Sequence, residues 1–490
     1  MSKKVVVIGA GFAGLSAATY LAKQGFEVAV FEKLEKAGGR AQVFEKDGFR
    51  FDMGPSWYWM PDVFENYFND FDCKVDQLYD LIKLEISYRV FFNYNDSIDI
   101  SSEWSEIENV FESIETGSSK KLNTFINAAQ QKYEIAIEGF IEKSGLSLLE
   151  FVNMKSLTGA FHLDLFKSVK KLVASHFQHP KLRSILEFPV LFLGAMPQNI
   201  PALYTLMNYA DLKLGTWYPM GGMSVIADSM VEVAKMQGVK FQYKAVVQEI
   251  VVKNNKAVGV VVDQKMHSAD VIIGAADYHH VEQYLLPENF RNYTKSYWDS
   301  RVMAPSALLF YIAIKKKLNS LEHHNLFFDE DFEVHGREIY DSPKWPSRPQ
   351  MYVSVASKTD PTIAPKGCEA LVGLIPVAVG LIDTPEIREM YLNKLIKKIE
   401  RLTGEDIESD IVFVKNYAQN DFVIDYNAFK GNAYGLANTL KQTAILKPKI
   451  KNAKLHNLFY TGQLTVPGPG VPPALISGKI VAKEIVKIFL

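Results

Sequence analysis

The sequence predicts an α/β fold that begins with a strand, a helix and a second strand. Residues 5–8 form a short apolar run, a small-residue helix pattern follows over residues 15–23, and residues 28–31 form a second apolar run. Glycines at positions 9, 11 and 14 lie between the first strand and the helix, in the spacing G-x-G-x-x-G. A strand before the glycines and a helix after them are the context in which this spacing indicates a Rossmann-like dinucleotide-binding unit.

Each glycine of this motif has its own physical role. Gly9 allows the tight turn, Gly11 lets the backbone approach a pyrophosphate, and Gly14 lets the helix pack closely on the sheet. The free N–H groups at the start of the helix then face the phosphates. Glu32 ends the second strand, where its carboxylate accepts hydrogen bonds from an adenosine ribose and disfavours a 2′-phosphate.

Length and composition narrow the class of protein. A chain of 490 residues is long enough for two domains, and 54 basic against 56 acidic residues leave no electrostatic footprint for nucleic acid. Cys73 and Cys368 form neither a metal-ligand spacing nor a disulfide framework, so we expect a reducing cytoplasm and no metal site. Lysines 3 and 4 before the apolar residues 5–22 also resemble a signal peptide, but such a signal requires neither the glycine spacing nor Glu32.

Two further segments follow the first unit. Gly38, Gly39 and Arg40 offer flexible backbone and a cation to a phosphate, and a plain surface turn is the alternative. Residues 49–51 predict a short strand that leads into the sequence DMGPS at 52–56. Their position directly after a dinucleotide motif favours a role at the same ligand.

The chain then leaves the nucleotide-binding unit and returns to it. Residues 83–214 alternate helix-like segments with aromatic residues, which include Phe91, Phe92, Phe161, Phe166 and Phe177. A second glycine doublet lies within residues 218–223, and a helix pattern runs on to about residue 237. Strands are then predicted at 239–243, 246–253 and 257–263, with a hairpin turn at 253–256, and residues 269–277 predict a buried strand that runs into a small-residue loop. We expect these strands to complete the nucleotide-binding sheet.

Two regions of the remaining chain indicate a second domain. Residues 184–197 (SILEFPVLFLGAMP) are strongly apolar, but they are too short for a bilayer span and contain Pro189. They predict either a buried core helix or an apolar face that contacts lipid or a lipophilic ligand. Residues 298–449 predict mixed structure, with strands at 307–314, 351–357 and 370–376 and an amphipathic helix at 385–402.

The C-terminal segment has the same order of elements as the first unit, namely a strand, a glycine-containing loop and a helix. Residues 457–462 predict a strand, residues 465–473 a Gly/Pro loop, and residues 474–490 a helix. A helix that begins in such a loop presents free N–H groups and a positive dipole end, which stabilise a pyrophosphate or the electron-rich edge of a flavin ring. The alternative is an ordinary loop-capped terminal helix.

Together these motifs resemble those of one known family. Residues 8–40 (IGAGFAGLSAATYLAKQGFEVAVFEKLEKAGGR) resemble the FAD-binding fingerprint of the flavin-containing amine oxidases. Within that superfamily the chain resembles the bacterial carotenoid desaturases, of the phytoene desaturase and carotenoid 3,4-desaturase types. The match continues through GPSWYWMP at 54–61, the segments 218–223 and 269–277, and PGPGVP at 467–472, so it covers nearly the whole chain.

The resemblance implies a domain organisation. It implies a Rossmann-like FAD-binding domain of the glutathione reductase/amine oxidase type, with an inserted α+β substrate domain. The FAD-binding domain is expected to be discontinuous and to comprise residues 1–85, 215–297 and 450–490. Residues 86–214 and 298–449 are expected to form the substrate domain, which includes a helical region for apolar or membrane contact.

The resemblance also implies roles for individual residues. The glycine motif takes the pyrophosphate, and Glu32 holds the adenosine ribose. Gly39 and Arg40 line the diphosphate and ribityl region, residues 54–56 approach the flavin ring, and Val247 meets the adenine through its backbone.

Near the C terminus, the resemblance places Gly462 and Val471 by the ribityl chain and the pyrimidine edge of the flavin. Gln463 departs from the acid or small residue that many relatives carry there, which puts the ribityl contact at that position in doubt. No acid or base stands out as catalytic, and the pair His279-His280 is interpreted as structural. The complete set of predicted FAD-binding residues is Gly9, Ala10, Gly11, Phe12, Ala13, Gly14, Glu32, Lys33, Gly39, Arg40, Gly54, Pro55, Ser56, Val247, Ala276, Asp277, Gly462, Val471 and Pro472.

The activity that the resemblance implies is the introduction of conjugated C=C bonds into a forty-carbon carotenoid, by hydride transfer to a non-covalently bound FAD. A later-step 3,4-desaturase of a carotene or hydroxycarotene and a carotenoid isomerase would share every motif. A flavin amine oxidase acting on a polar amine is a further alternative. A non-catalytic lipid carrier that retains flavin is an alternative from a different class.

The implied partners follow from this chemistry. A hydrocarbon offers nothing to hydrogen-bond, so an apolar carotenoid requires a long apolar tunnel. A lipid-dissolved substrate implies contact with a membrane surface, and we expect a cytoplasmic, peripherally membrane-associated enzyme. Reduced flavin requires an electron acceptor, for which oxygen and a membrane quinone are the candidates because the chain carries no second nucleotide fingerprint.

Overall fold

The computed structural model describes residues 2–137, 141–146, 167–439 and 441–490. The helices of these ranges are α1 (Phe12–Lys23), α2 (Pro61–Asn69), α3 (Trp104–Ile114), α4 (Ser118–Ile135), α5 (Val169–His176), α6 (Pro180–Glu187), α7 (Leu206–Leu212), α8 (Ser224–Met236), α9 (Tyr278–Tyr284), α10 (Lys295–Asp299), α11 (Phe332–Tyr340), α12 (Pro385–Thr403), α13 (Gln419–Tyr426) and α14 (Val471–Phe489). The strands are β1 (Lys4–Ile8), β2 (Glu27–Phe31), β3 (Val43–Lys46), β4 (Phe49–Asp52), β5 (Leu81–Lys83), β6 (Ile86–Asn93), β7 (Asp96–Ser101), β8 (Trp217–Pro219), β9 (Lys240–Gln242), β10 (Val247–Lys253), β11 (Lys256–Val262), β12 (Lys265–Ser268), β13 (Val271–Gly274), β14 (Ser306–Ile314), β15 (His324–Phe327), β16 (Met351–Ser354), β17 (Glu369–Val377), β18 (Ile411–Tyr417) and β19 (Leu458–Tyr460).

A five-stranded parallel sheet contains the first unit, and the predicted α/β fold is confirmed. Its strand order is β19-β13-β1-β2-β9, so strands from both ends and the middle of the chain lie side by side. In this register Val7 lies opposite Val30 on one side and Ile273 on the other. Helix α1 packs against α8 and α14. The approach of α14 is so close that a Cβ on Gly478 would stand 2.3 Å from the carbonyl oxygen of Ala13.

The returning chain joins this sheet in part. Strands β9 and β13 do so, but β10, β11 and β12 form a separate antiparallel sheet. The expectation that residues 246–263 complete the nucleotide-binding sheet is therefore wrong. The reason is local, because Asn254 and Asn255 both adopt positive φ (48° and 55°) in a tight turn. Such a turn joins antiparallel strands, whereas a parallel neighbour requires a long crossover connection.

A seven-stranded sheet of order β18-β14-β17-β16-β15-β6-β7 forms the second large layer. Every residue of β14 is buried. Helix α12 covers one face, where the side chain of Leu395 lies on Gly373 of β17. Strands β6 and β7 correct the interpretation of residues 83–214 as helix-like segments. Phe91 of β6 stacks on Phe327 of β15 at 5.1 Å between ring centroids, a contact between residues far apart in sequence.

The apolar stretch 184–197 is not one helix. Helix α6 ends at Glu187, and a 3₁₀ segment (Phe188–Leu193) follows. Pro189 lies at the start of this segment, where its missing N–H is tolerated. Two of the aromatic residues singled out in the sequence, Phe161 and Phe166, lie outside the described residues. None of the helices within the described ranges has the length and apolarity that crossing a membrane requires.

Candidate FAD and substrate cavity

A cavity of about 480 Å³ lies between the parallel sheet and the seven-stranded sheet, within the range of roughly 300–1,000 Å³ for small-molecule sites. The residues that follow the carboxyl ends of β1, β2 and β13 line it, and this edge of a parallel sheet is where such folds bind ligands. All but two of the predicted binding residues line it: Gly9, Gly11, Phe12, Ala13, Glu32, Lys33, Gly39, Arg40, Gly54, Pro55, Ser56, Val247, Ala276, Asp277, Gly462, Val471 and Pro472.

Ala10 and Gly14 are the two exceptions, and each contacts a residue that lines the cavity. The backbone N–H of Ala10 donates to Oε2 of Glu32 at 2.6 Å. A Cβ on Gly14 would stand 2.1 Å from the carbonyl oxygen of Gly9, so only glycine lets α1 begin this close to the strand. Gly9 itself has φ +104°, a conformation that L side chains rarely adopt. The motif therefore forms a bare backbone cradle at the start of α1.

Glu32 is held in place at the end of β2. Its Oε2 accepts the Ala10 N–H, and its Oε1 accepts the backbone N–H of Leu34 at 2.9 Å. The side chain is buried and lines the cavity. Nearby Lys33 donates from Nζ to the carbonyl oxygen of Ile424 and links this corner to α13. A fixed carboxylate at this position matches the partner that a ribose diol requires.

Arg40 places a half-buried cation in the cavity wall. Its Nη2 donates to the carbonyl oxygen of Asn432 at 3.1 Å, and its guanidinium lies over the ring of Tyr426 at 5.4 Å. Its Nε has no hydrogen-bond partner in the described part of the chain. Burial lowers the pKa of Arg40, and the nearby Asp277 carboxylate opposes that effect. An unpaired buried donor beside a cavity favours an anionic or polar ligand there.

Asp277 follows β13 and caps α9. Its carboxylate accepts the backbone N–H groups of His280 at 3.1 Å and Phe429 at 3.2 Å. Burial raises the pKa of Asp277, and these two donors oppose the shift. His280 lines the cavity, and His279 packs on the ring of Phe429 at 3.9 Å between centroids. Burial lowers the pKa of both histidines to about 4.

The C-terminal loop closes the cradle from the other side. Gly462 has φ +110°, and its N–H donates to Oγ of Ser477 at 2.9 Å. Gln463 donates from Nε2 to Oδ1 of Asn432 at 3.1 Å, so it is tied to the wall that carries Arg40. Helix α14 begins at Val471 rather than at the predicted residue 474, because prolines at the first helical positions fit the helix conformation. Its N-terminal residues line the cavity.

The far part of the cavity has an apolar, aromatic wall that the sequence revealed only in part. Trp57 belongs to GPSWYWMP, and Phe188 belongs to the apolar stretch 184–197, which is therefore both core and cavity wall. The other wall residues come from separate strands and helices, and no local pattern marks them. They include Met207, Leu326, Phe328, Phe332, Ile339, Tyr340, Met351, Tyr352, Leu374 and Tyr434, whereas Trp59, Leu191 and Leu193 belong to the same two segments as Trp57 and Phe188.

His335 is a polar group within this apolar wall. Its Nε2 donates to the carbonyl oxygen of Pro376 at 2.8 Å, and its Nδ1 accepts the N–H of Gln350 at 3.2 Å. Burial lowers its pKa to about 4, so the ring is neutral at neutral pH. Because backbone groups bond both ring nitrogens, His335 has a structural role in the wall and no free nitrogen for catalysis.

These features fit a flavin dinucleotide. The cradle at Gly9 and Gly11 carries no side chain, Glu32 is set for a ribose, and Arg40 has a donor without a partner in the described part of the chain. The cavity then continues from this polar end to the aromatic wall, which suits an apolar second ligand.

Comparison with known proteins agrees with this geometry. A family model described as flavin containing amine oxidoreductase matches residues 12–486. The chain is 41% identical over 485 residues to a carotenoid 3,4-desaturase of Haloarcula japonica, covering 99% of this chain and 98% of that protein. It is 31% identical over 494 residues to a 4,4′-diapophytoene desaturase (4,4′-diaponeurosporene-forming) of Staphylococcus haemolyticus, with 99% and 98% covered.

Among solved structures, an oxidoreductase from Methanosarcina mazei has a TM-score of 0.64 at 17% identity, covering 98% of this chain and 100% of that one. At this identity the likeness shows the fold alone. The family match and the fit of the cradle make FAD the cofactor of this enzyme. The chain belongs to the flavin-containing amine oxidoreductase family and, within it, to the carotenoid desaturases.

Proposed function

We propose that this enzyme introduces conjugated C=C bonds into a forty-carbon carotenoid. The observation that carries the proposal is the single cavity that runs from the glycine cradle at Gly9 to an aromatic wall at Trp57 and Phe188. A hydrocarbon is recognised by shape and apolar burial, which such a wall supplies.

The roles proposed for individual residues follow from their places in the cavity. The cradle of Gly9 and Gly11 would bind the pyrophosphate, Glu32 the ribose, and Arg40 the diphosphate or ribityl oxygens. The start of α14 would approach the pyrimidine edge of the flavin. The division into an FAD-binding domain (1–85, 215–297 and 450–490) and a substrate domain (86–214 and 298–449) is part of the same proposal.

The chain's contribution to the reaction is binding, orientation and exclusion of water. When bound, FAD supplies the two-electron oxidation by accepting a hydride. The aromatic wall holds the polyene against the cofactor region, and Leu326, Phe328 and Leu374 keep that space apolar. Water would otherwise compete for reactive carbon centres.

Sequence identity favours a late step in carotenoid synthesis. The identity is 41% to the carotenoid 3,4-desaturase and 31% to the diapophytoene desaturase. We therefore favour the 3,4 bond of a carotene or hydroxycarotene over the bonds of phytoene.

The substrate's solubility supports a membrane-surface location. A carotenoid is dissolved in lipid, so the enzyme would take it up at the surface of a membrane, and we propose a cytoplasmic, peripherally associated enzyme. Oxygen or a membrane quinone would reoxidise the flavin.

Product analysis tests the proposal. Holoenzyme is incubated anaerobically with phytoene, lycopene and 1-hydroxylycopene, each in phosphatidylcholine vesicles, and the flavin absorbance and extracted pigments are followed. The expected result is bleaching of the flavin together with a shift of the pigment absorbance to longer wavelength. Bleaching by polyamines, followed by peroxide release when air is admitted, would support an amine oxidase instead. A changed pigment without net bleaching would support an isomerase, and binding without either change would support a carrier.

A further inference from the structure

A second, much smaller chamber lies next to the main cavity. Its volume is about 20 Å³, whereas a buried water requires roughly 10–15 Å³. Ser56 lines both spaces, so it lies at the boundary between the chamber and the main cavity. The residues that line the chamber are Arg50, Phe51, Asp52, Ser56, Tyr218, Gly221, His323, Ser354, Ala356, Ile363, Ala370 and Val372.

Three polar side chains of this chamber each have a buried atom without a partner in the described part of the chain. These atoms are Oδ1 of Asp52, the hydroxyl of Tyr218 and Nε2 of His323. The remaining polar atoms of Asp52 and His323 are satisfied, since Oδ2 of Asp52 accepts the N–H of Met223 at 2.9 Å and Nδ1 of His323 bonds Oγ1 of Thr359 at 2.7 Å. Two to four polar partners are what holds a buried water.

A second set of hydroxyl groups lies between the two spaces. Tyr352 lines the main cavity, and its hydroxyl lies near the side chains of Ser56 and Ser354, both of which line the chamber. The same hydroxyl bonds Nδ1 of His324 at 2.7 Å. Hydroxyl groups both donate and accept, so Ser56 and Ser354 are suited to pass a proton between the spaces.

We propose that this chamber holds a water on Asp52, Tyr218 and His323 and that Asp52 accepts the proton released during desaturation. The inference rests on the proposed function. Forming the double bond removes one hydrogen with its electron pair, which the oxidised flavin accepts. The neighbouring C–H bond breaks, and its electron pair becomes the π bond. The remaining proton passes through the Ser56 hydroxyl and the water to the Asp52 carboxylate.

The surroundings of Asp52 suit a proton acceptor at physiological pH. Burial raises its pKa to about 6, which the N–H of Met223 and the charge of Arg50 partly oppose. The titratable and charged groups that face it from the packed elements are Arg50, Tyr218, Tyr311, His323, Tyr352 and Asp360. Burial lowers the pKa of His323 to about 3, so that ring stays neutral. The carboxylate is therefore the basic group of the chamber.

The test compares Asp52→Asn with wild type in single turnovers. Holoenzyme is mixed anaerobically with phytoene, lycopene or 1-hydroxylycopene in phosphatidylcholine vesicles, and flavin bleaching is recorded from pH 5 to 8. In wild type the rate should fall as the pH falls below about 6, because protonated Asp52 accepts no further proton. D52N should be slower by about 10²-fold, the usual scale of acid–base catalysis, and should lack this pH dependence.

An infrared difference spectrum of flavin reduction supplies a readout independent of rate. A carbonyl band of a newly protonated carboxyl should appear in wild type and be missing in D52N. Tyr218→Phe retains the ring and removes one partner of the water, so it should shift this band. This variant keeps the test valid if D52N fails to fold.

Asp211→Asn is the matched control, because Asp211 is a buried carboxyl outside both spaces. Burial raises its pKa to about 8, so it is already neutral at pH 7 and its replacement should leave rate and band unchanged. Bleaching by D52N with the rate, pH profile and band of wild type overturns the inference alone. Absence of bleaching with all three carotenoids in wild type overturns the proposed function, and the inference with it.

Discussion

At the residue scale, Glu32 connects the glycine turn to the ligand. Its two oxygens accept backbone N–H groups at 2.6 and 2.9 Å, which fixes the carboxylate before any ligand arrives. Hydrogen bonds to a charged group are worth about 1.5–3 kcal/mol, and about 1.4 kcal/mol is a factor of ten in affinity. We therefore expect Glu32→Gln to weaken FAD binding by roughly 10- to 100-fold, as measured by fluorescence titration of the apoprotein with FAD.

Glu35→Gln is the control for this change. Glu35 is 76% exposed and pairs with Lys244 at the surface, so its replacement should leave the FAD affinity unchanged. Equal affinity of E32Q and wild type would contradict the role of Glu32 in ribose binding.

The buried carboxyl of Asp211 predicts that the free energy of unfolding depends on pH. Its Oδ2 accepts the hydroxyl of Tyr88 at 2.8 Å, and burial raises its pKa to about 8. The folded state therefore retains a proton that the unfolded chain releases above the ordinary pKa of a carboxyl. Raising the pH from about 4 to about 8 thus lowers the free energy of unfolding through this group.

Asp211→Asn carries no titrating group at this position. Its free energy of unfolding relative to wild type should therefore increase between pH 4.5 and pH 8, as measured by urea denaturation. The exposed Asp76→Asn should differ from wild type by less than about 0.5 kcal/mol at both pH values. A D211N difference that stays constant with pH would contradict the raised pKa.

At the element scale, two glycines at the start of α1 have different roles: Gly14 allows close packing, and Gly11 lines the cavity. A methyl group on Gly14 would stand 2.1 Å from the carbonyl oxygen of Gly9, whereas one on Gly11 would meet only Cα of Gly39 at 3.8 Å. We expect Gly14→Ala to lower the stability of the apoprotein by about 1–3 kcal/mol, the usual cost of overpacking. Gly11→Ala should leave the apoprotein melting temperature unchanged and weaken FAD binding, because Gly11 lines the cavity.

Melting curves of the two apoproteins and FAD titrations check this pair. Each variant is the control for the other, since both add one methyl group to the same motif. Equal effects of the two variants on apoprotein stability would show that the start of α1 shifts to accommodate either added methyl group.

The same scale shows why the sequence predicts some elements and not others. The first unit is local, with its strand, turn and helix contiguous, so periodicity and glycine spacing identify it. The hairpin of β10 and β11 was also predicted, but the separate sheet was not, although β12 directly follows β11 and extends the same antiparallel sheet. Strand β6 pairs with β15 from more than two hundred residues away.

The candidate site also has one part that the sequence predicts and another that it does not. Its polar end is built from motifs with fixed spacing, and all but two of the residues predicted for it line the cavity. Its aromatic wall comes from scattered positions such as Phe328, Tyr352 and Tyr434, which have no shared pattern and look like ordinary core residues. The chamber behind Ser56 is a product of tertiary structure, since β4, β8 and β15 bring Asp52, Tyr218 and the neighbouring His323 together.

At the scale of the whole molecule, FAD should act as a stabiliser. The cavity is lined from the first strand, the middle of the chain and the last helix, so a bound dinucleotide ties these segments together. A ligand at 100 times its Kd stabilises the folded state by about 2.7 kcal/mol. We expect FAD at that excess to raise the melting temperature of the apoprotein and ADP at the same concentration to raise it less. An unchanged melting temperature with FAD would contradict the cavity's assignment.

The strand order β19-β13-β1-β2-β9 also has a consequence for biosynthesis. The glycine motif is made before β9, β13, β19 and the start of α14, which follow it hundreds of residues later along the chain. At translation rates of about 5–20 residues per second, the interval is on the order of tens of seconds. The complete flavin cradle therefore forms only after the start of α14 has been made, and until then the growing polypeptide lacks the stabilisation that a bound cofactor supplies.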